Sequence, residues 1–153
     1  MHKFWKNVEP VVLEGRIKVP YAWNAGETAS FYLTHLRDRK KIVGKKCPKC
    51  SKVLVPPRKS CPFCFVDTSE WVPLSGKGRV DTFTIVRRDT NIQPRKAPFA
   101  YAIINLEGAD TGFVHILGDV DVEDIKTGMK VEAVFAEERS GLVTDIKYFR
   151  PIG

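Results

Sequence analysis

Cys47-Pro48-Lys49-Cys50 and Cys61-Pro62-Phe63-Cys64 repeat one pattern, C-x2-C, with ten residues between the two copies. They hold all 4 cysteines of the 153-residue chain. A C-x2-C turn can aim both sulfurs at one point, and two such turns facing each other make a closed tetrahedral S4 site. Thiolate suits zinc, whose filled d-shell imposes no other shape. Cys47, Cys50, Cys61 and Cys64 are therefore the expected ligands of a structural zinc ion, with iron in a similar S4 cage as the rival. Four protein ligands leave no open position for water or substrate, so the site implies folding and not catalysis. Two disulfides would suit a secreted protein, but Met1-His2-Lys3-Phe4-Trp5-Lys6 has no apolar signal stretch. A redox C-x-x-C needs one pair at a strand–helix junction, whereas here two pairs are flanked by Lys and Pro.

Between the cysteine pairs, Val53-Leu54-Val55-Pro56-Pro57-Arg58-Lys59 reads as a short strand broken by two prolines, which makes a ribbon and not a helix-bearing finger. The position after the second Cys of each knuckle tends toward positive φ and is often glycine. Ser51 and Phe65 stand there in this chain. Metal removal is expected to unfold the ribbon while the rest stays folded.

Upstream, Pro10 and Pro20 bracket an extended apolar stretch, Val11-Val12-Leu13. A helix follows, with Asn24 as N-cap and Glu27 placed to reach back to the cap amide. Ala29, Tyr32, Leu33 and Leu36 share one face, Arg37, Arg39 and Lys40 lie at the C-terminal end, and Gly44 ends the segment. The stripe is read as core-facing, with a partner-binding helix as the alternative.

Downstream of Ser75-Gly76-Lys77-Gly78 the pattern becomes strands: Arg79–Val86, Phe99–Leu106, Gly112–Leu117, Lys130–Ala136 and Leu142–Phe149, with a helical turn over Asp121–Thr127. Five strands with a short helical element between the third and fourth is the order of an OB-fold; an SH3-like barrel is the rival. The fold class is thus mainly β with an N-terminal helical segment. Its units are an arm and helix (1–44), a zinc ribbon (45–75) and a five-stranded OB barrel (76–153).

Net charge is +7 and unevenly spread. Residues 1–46 have ten basic and four acidic residues, 47–75 have four and two, and 76–153 have eleven and twelve. Such a basic region attracts nucleic acid, an anionic cofactor or an acidic protein. No run approaches the roughly 20 apolar residues of a membrane span, and a cytoplasmic location is expected. The loop after the first barrel strand carries Arg87, Arg88, Arg95 and Lys96 together with Pro94 and Pro98, suited to phosphate in a place where OB-folds bind ligands. Without that loop the C-terminal part has seven basic and eleven acidic residues, a poor track for a nucleic-acid backbone. Phe83, Phe99, Tyr101 and Phe113 do not alternate with Lys or Arg, and are read as core and not as a stacking platform. His2, His35 and His115 are the only histidines, and no nucleophile elbow or glycine-rich phosphate cradle is present. No catalytic residue is assigned.

Several segments in order, namely Pro20-Tyr21 to Trp23, the helix, the two cysteine pairs around Pro56-Pro57-Arg58, Ala97-Pro98-Phe99-Ala100-Tyr101, Leu106-Glu107-Gly108 and Thr127-Gly128-Met129-Lys130-Val131, span nearly the whole chain. Together they resemble the zinc-ribbon plus OB-fold family of acyl-CoA-associated proteins, long called a domain of unknown function. The resemblance implies a rubredoxin-like ribbon, an OB barrel and partnership with thiolase-type enzymes. In archaea it implies a scaffold joining a thiolase to hydroxymethylglutaryl-CoA synthase. It also implies that the barrel holds coenzyme A, so an acyl-CoA ester is the expected ligand. Arg58, Lys59, Arg87, Arg88, Arg95 and Lys96 are the expected partners of the coenzyme A phosphates. A nucleic-acid-binding ribbon/OB module is the alternative.

Overall fold

The computed structural model describes Val12 and residues 19–153. The expected stretch Val11-Val12-Leu13, apart from Val12, and His2 lie outside the described residues. One helix, α1 (Glu27–Arg39), leads into β1 (Ile42–Lys46), β2 (Val53–Leu54) and β3 (Glu70–Leu74), which form a three-stranded antiparallel sheet in the order β2-β1-β3. After Ser75-Gly76 come β4 (Lys77–Val86), β5 (Phe99–Leu106), β6 (Phe113–Leu117), β7 (Lys130–Phe135) and β8 (Ile146–Pro151). These five close a barrel in the order β4-β5-β6-β8-β7, with a 3-10 turn at Val122–Asp124 before β7. A five-stranded barrel with its helical element between the third and fourth strands is the OB arrangement.

Both ends of α1 differ from the sequence expectation. The helix begins after Gly26, whose φ of 80° no capping side chain accompanies; Asn24 Oδ1 instead accepts the Gly26 N–H at 2.7 Å, turning the chain one step before the helix. It ends at Lys40 in the left-handed conformation, φ 50°, and not at Gly44. Gly44 lies within β1, where a Cβ would sit 2.7 Å from Val53 Cγ1 and 3.1 Å from the Leu54 carbonyl oxygen. The lack of a side chain serves strand pairing there, and helix termination is left to Lys40. The last strand also moves. Leu142–Phe149 was expected as one strand, but Val143–Asp145 is a 3-10 turn and β8 starts at Ile146. Asp145 causes this: its buried carboxylate accepts the backbone N–H groups of Ser140, Gly141 and Leu142 at 2.8–3.3 Å, folding the segment back on itself.

One continuous core joins the helix, the sheet and the barrel. Tyr32 and Leu36 of α1, Ile42, Val43, Val53, Val55 and Leu74 of the ribbon sheet, and Val80, Ile104, Val131 and Phe149 of the barrel belong to the same buried cluster. Ala29 and Leu33, the remaining members of the helical stripe, are half-buried. Backbone contacts reinforce the join. Val53 N–H donates to Asp110 Oδ2 and Asp110 N–H to the Val53 carbonyl; Val55 N–H and carbonyl both bond to the Thr111 hydroxyl. A second, smaller cluster of Cys47, Leu54 and Cys61 lies outside this core.

Candidate metal centre and anion-binding surface

The two knuckles are built alike. Ser51 N–H donates to the Cys47 carbonyl and Cys47 N–H to the Lys52 carbonyl; Phe65 N–H donates to the Cys61 carbonyl and Cys61 N–H to the Val66 carbonyl, all at 2.9 Å. Closing each turn requires positive φ after its second cysteine, and Ser51 (60°) and Phe65 (55°) adopt it. The four sulfurs lie within 4.8 Å of one another, and all four cysteines are free thiols. Cys50 Sγ and Cys61 Sγ are 3.8 Å apart, and a tetrahedron with metal–sulfur bonds of about 2.3 Å has edges of about 3.8 Å. The Cys50–Cys61 pair matches that edge, and the whole set is grouped closely enough to surround one tetrahedral cation.

Electrostatics point the same way. The Cys50 N–H, followed by the Lys49 N–H, lowers the Cys47 thiol to about 7, so it readily offers a thiolate. Burial pushes Cys64 up to about 12, helped by contacts with the Cys50, Cys47 and Cys61 thiols. Like charges this close cannot all ionise unless a cation lies between them.

The six basic residues expected to meet phosphate fall into two separate groups. Arg87, Arg88, Arg95 and Lys96 are exposed on the β4–β5 loop. Asp89 ties that loop together, its Oδ1 accepting Gln93 Nε2 at 2.7 Å and the Ala97 N–H at 2.8 Å. Arg87 Nη2 already pairs with Glu123 at 2.9 Å, while Arg95 lines a small cleft of about 60 Å³ with Pro98, Gly118 and Asp119. Arg58 and Lys59 follow the segment that is fastened at Asp110 and Thr111, at the other end of β5. Eight residues of strand separate the two ends by about 24 Å. Lys59 instead lines a cleft of about 480 Å³ with Lys45 and the start of α1, with Glu27 and Asp67 also on its wall.

Sequence reasoning missed other surface features. Phe31 stacks on Trp71 (4.0 Å) and His35 (4.1 Å) in an apolar groove of about 400 Å³ rimmed by Arg39 and Lys41. Phe63 and Phe65 stand exposed on the second knuckle. Of the rings singled out on the barrel, Phe113 lies in the core and Phe83 packs half-buried against it, whereas the buried Phe99 and half-buried Tyr101 meet edge-on at 5.3 Å outside that cluster. His115 stacks on Phe113 (5.8 Å) and meets the edge of Phe149 (5.5 Å). Its buried Nδ1 has no hydrogen-bond partner among the described residues, and burial holds its pKa below the usual histidine range. A catalytic dyad would require a carboxylate or hydroxyl at that nitrogen.

Residues 35–70 match the ChsH2 rubredoxin-like zinc ribbon domain, and residues 71–136 match the ChsH2 C-terminal OB-fold domain. A Methanocaldococcus jannaschii DUF35 domain-containing scaffold protein is 36% identical over 123 residues, covering 77% of this chain and 86% of that protein. The chain belongs to the DUF35 family. A scaffold protein of the same name from Pyrococcus furiosus is 36% identical over 127 residues, covering 80% of this chain and 92% of the relative. Among solved structures, the Ltp2-ChsH2(DUF35) aldolase aligns with a TM-score of 0.65 at 24% identity, over 86% of this chain and 98% of that one. A DUF35 protein of unknown function from Sulfolobus solfataricus aligns with a TM-score of 0.60 at 24% identity, over 82% and 84%. These two likenesses show the DUF35 fold, a ribbon followed by an OB barrel. The four cysteines expected from spacing alone fall within the zinc-ribbon match and are grouped as metal ligands would be. Among the described residues no helix is long and apolar enough to cross a membrane.

Proposed function

We propose that this DUF35 protein is a non-catalytic, acyl-CoA-binding scaffold that associates with a thiolase-type enzyme and helps pass acyl-CoA intermediates to it. The observation that carries the reading is kinship with DUF35 scaffold proteins, at 36% identity over most of both chains. The fold it shares with the Ltp2-ChsH2(DUF35) aldolase supports an aldolase- or thiolase-like partner. Hydroxymethylglutaryl-CoA synthase is the second partner we propose, in line with the archaeal source of the relatives. Cys47, Cys50, Cys61 and Cys64 would hold zinc, which supplies a fixed geometry for the two knuckles and no chemistry on the thioester.

Arg88, Arg95 and Lys96 are free of ion pairs among the described residues and would receive the pyrophosphate and 3′-phosphate of coenzyme A. Arg87 would have to exchange Glu123 for phosphate. Arg58 and Lys59 form a second basic group, and the distance between the groups assigns them to different parts of the ligand or to different ligands. The division into 1–44, 45–75 and 76–153 and a cytoplasmic location belong to the same proposal. The near-neutral barrel, with none of Phe83, Phe99, Tyr101 and Phe113 fully exposed, disfavours nucleic acid.

Titration of acetyl-CoA or acetoacetyl-CoA by calorimetry, with and without a thiolase from the same organism, tests the reading. Saturable binding that Arg95→Ala with Lys96→Ala weakens is the expected result. The absence of heat in both titrations refutes it.

A further inference from the structure

The second cysteine knuckle ends in two phenylalanines that the rest of the chain leaves in water. Phe63 is 59% and Phe65 87% exposed. Phe65 also sits at φ 55°, a conformation that costs an L side chain free energy and that glycine adopts freely. The knuckle turn demands that φ, but it does not demand a ring: the equivalent position in the first knuckle is Ser51, at φ 60° and exposed. Neither phenylalanine belongs to a core cluster. Phe65 thus carries a backbone penalty that glycine would avoid, and an apolar side chain that no core cluster among the described residues buries.

The surroundings of the two rings indicate what would. From Cys47 to Val66 the chain carries Lys49, Lys52, Arg58 and Lys59 and no acidic residue. A zinc ion on four thiolates has a formal charge of about −2, so the module remains cationic with metal bound. All four bases are exposed, and none makes an ion pair among the described residues. Lys52 Nζ lies 5.7 Å from the centre of the Phe63 ring. Exposed aromatic rings, one of them beside the unpaired Lys52, on a module of net positive charge match the composition of interface anchors, in which a buried ring supplies affinity and nearby charges steer the encounter.

We propose that the tip of the second knuckle, Phe63 and Phe65, is the anchor by which the scaffold docks on its enzyme partner, entering an apolar pocket edged by carboxylates. This rests on the scaffold reading above and specifies its contact surface. A single-stranded nucleic acid needs rings spaced along a basic groove, and here both rings share one tip, with the acids Asp67 and Glu70 close behind. An anionic membrane needs a broader polybasic face than these four side chains supply.

The test uses the full zinc-loaded chain, a thiolase from the same organism, and the variants Phe65→Gly, Phe63→Ser and Lys49→Glu/Lys52→Glu. Phe65→Gly should retain its metal and melt at or above the wild-type temperature, because the turn prefers glycine. Its affinity for the enzyme, read by biolayer interferometry, should nevertheless fall about 30-fold or more, as should that of Phe63→Ser. The charge-reversed variant should associate more slowly and lose salt dependence. If wild type binds and both phenylalanine variants bind as tightly, the anchor is wrong and the scaffold reading stands. If wild type does not bind the thiolase, both fall. Ring-dependent binding to a single-stranded oligonucleotide or to phosphatidylserine vesicles, in place of the enzyme, also overturns the anchor.

Discussion

Removal of the metal should melt the two knuckles and spare nearly everything else. Because residues of β1, β2 and β3 share a core with the barrel, the boundary of the unfolded region should fall inside the ribbon and not between ribbon and barrel. The knuckle turns at 47–52 and 61–66 order about a dozen residues, at roughly 12–24 kcal/mol of backbone entropy. Against this stand four backbone hydrogen bonds within the turns, about 4 kcal/mol together, and burial of Leu54, about 3 kcal/mol. The shortfall is about 5–17 kcal/mol. A structural zinc ion contributes about 10–16 kcal/mol, which covers all but the top of that range, and the knuckles should be folded with metal and unfolded without it. Hydrogen exchange read by mass spectrometry before and after chelation is the assay. Residues 47–52 and 61–66 should lose protection, while Ile42–Gly44, Val72–Leu74 and the barrel strands keep theirs. Two results refute the reasoning: protection retained in the knuckles of metal-free protein, or simultaneous loss across the barrel.

Three further substitutions test the packing, two in the barrel and one in α1. Gly78→Ala would place a Cβ 2.5 Å from the Asn105 carbonyl oxygen and 3.0 Å from Leu106 Cα, pushing β4 off β5; a loss of about 2–3 kcal/mol in urea unfolding is expected, and unchanged stability would show that the strands can separate freely. Tyr32→Phe removes a buried hydroxyl that has no partner among the described residues, and should leave the protein about 1 kcal/mol more stable, with a higher melting temperature. His115 has a folded-state pKa depressed by burial, so between that value and its unfolded pKa of about 6.5 the unfolded chain binds the extra proton. Stability should therefore be full above about pH 6.5 and decline as pH falls below it, and His115→Phe, which keeps the stack on Phe113 and Phe149, should flatten that slope in melts across pH 4–8.

Spacing alone made the metal set legible, because two C-x2-C turns constrain where four sulfurs can go. The barrel was legible from its apolar runs and turn glycines. The positive φ at Ser51 and Phe65 followed from the closure of the knuckles. Other features depend on contacts distant in sequence. Nothing local distinguishes Gly44 as a strand residue pressed by Val53 from a glycine ending a helix. Asp145 redirects Leu142–Asp145 by collecting three amides, an effect that apolar periodicity does not register. The division into ribbon and barrel is clear in sequence, yet Tyr32, Val53 and Val131 meet in one core that no local pattern announces.

Charge was the least legible property, since counting bases does not say which of them face one another. Arg58 and Lys59 were grouped with the β4–β5 loop because all six residues are basic, and the topology puts β5 between them. That separation bears on how a scaffold can work. The roughly 24 Å of strand between the loop and the end of β5 near Arg58 and Lys59 exceeds two Debye lengths at physiological salt, so a phosphate held at Arg95 and Lys96 would not be strongly biased through solvent by that second basic group. Coupling between ligand and enzyme partner would then have to pass through the shared core or through the partner itself. The core joins the helix, the sheet and the barrel into one packed body, with hydrogen bonds from Val53 and Val55 to Asp110 and Thr111 pinning their junction. A rigid junction favours a scaffold that fixes the distance between a docked enzyme and a held thioester, and it disfavours one that swings its cargo between them.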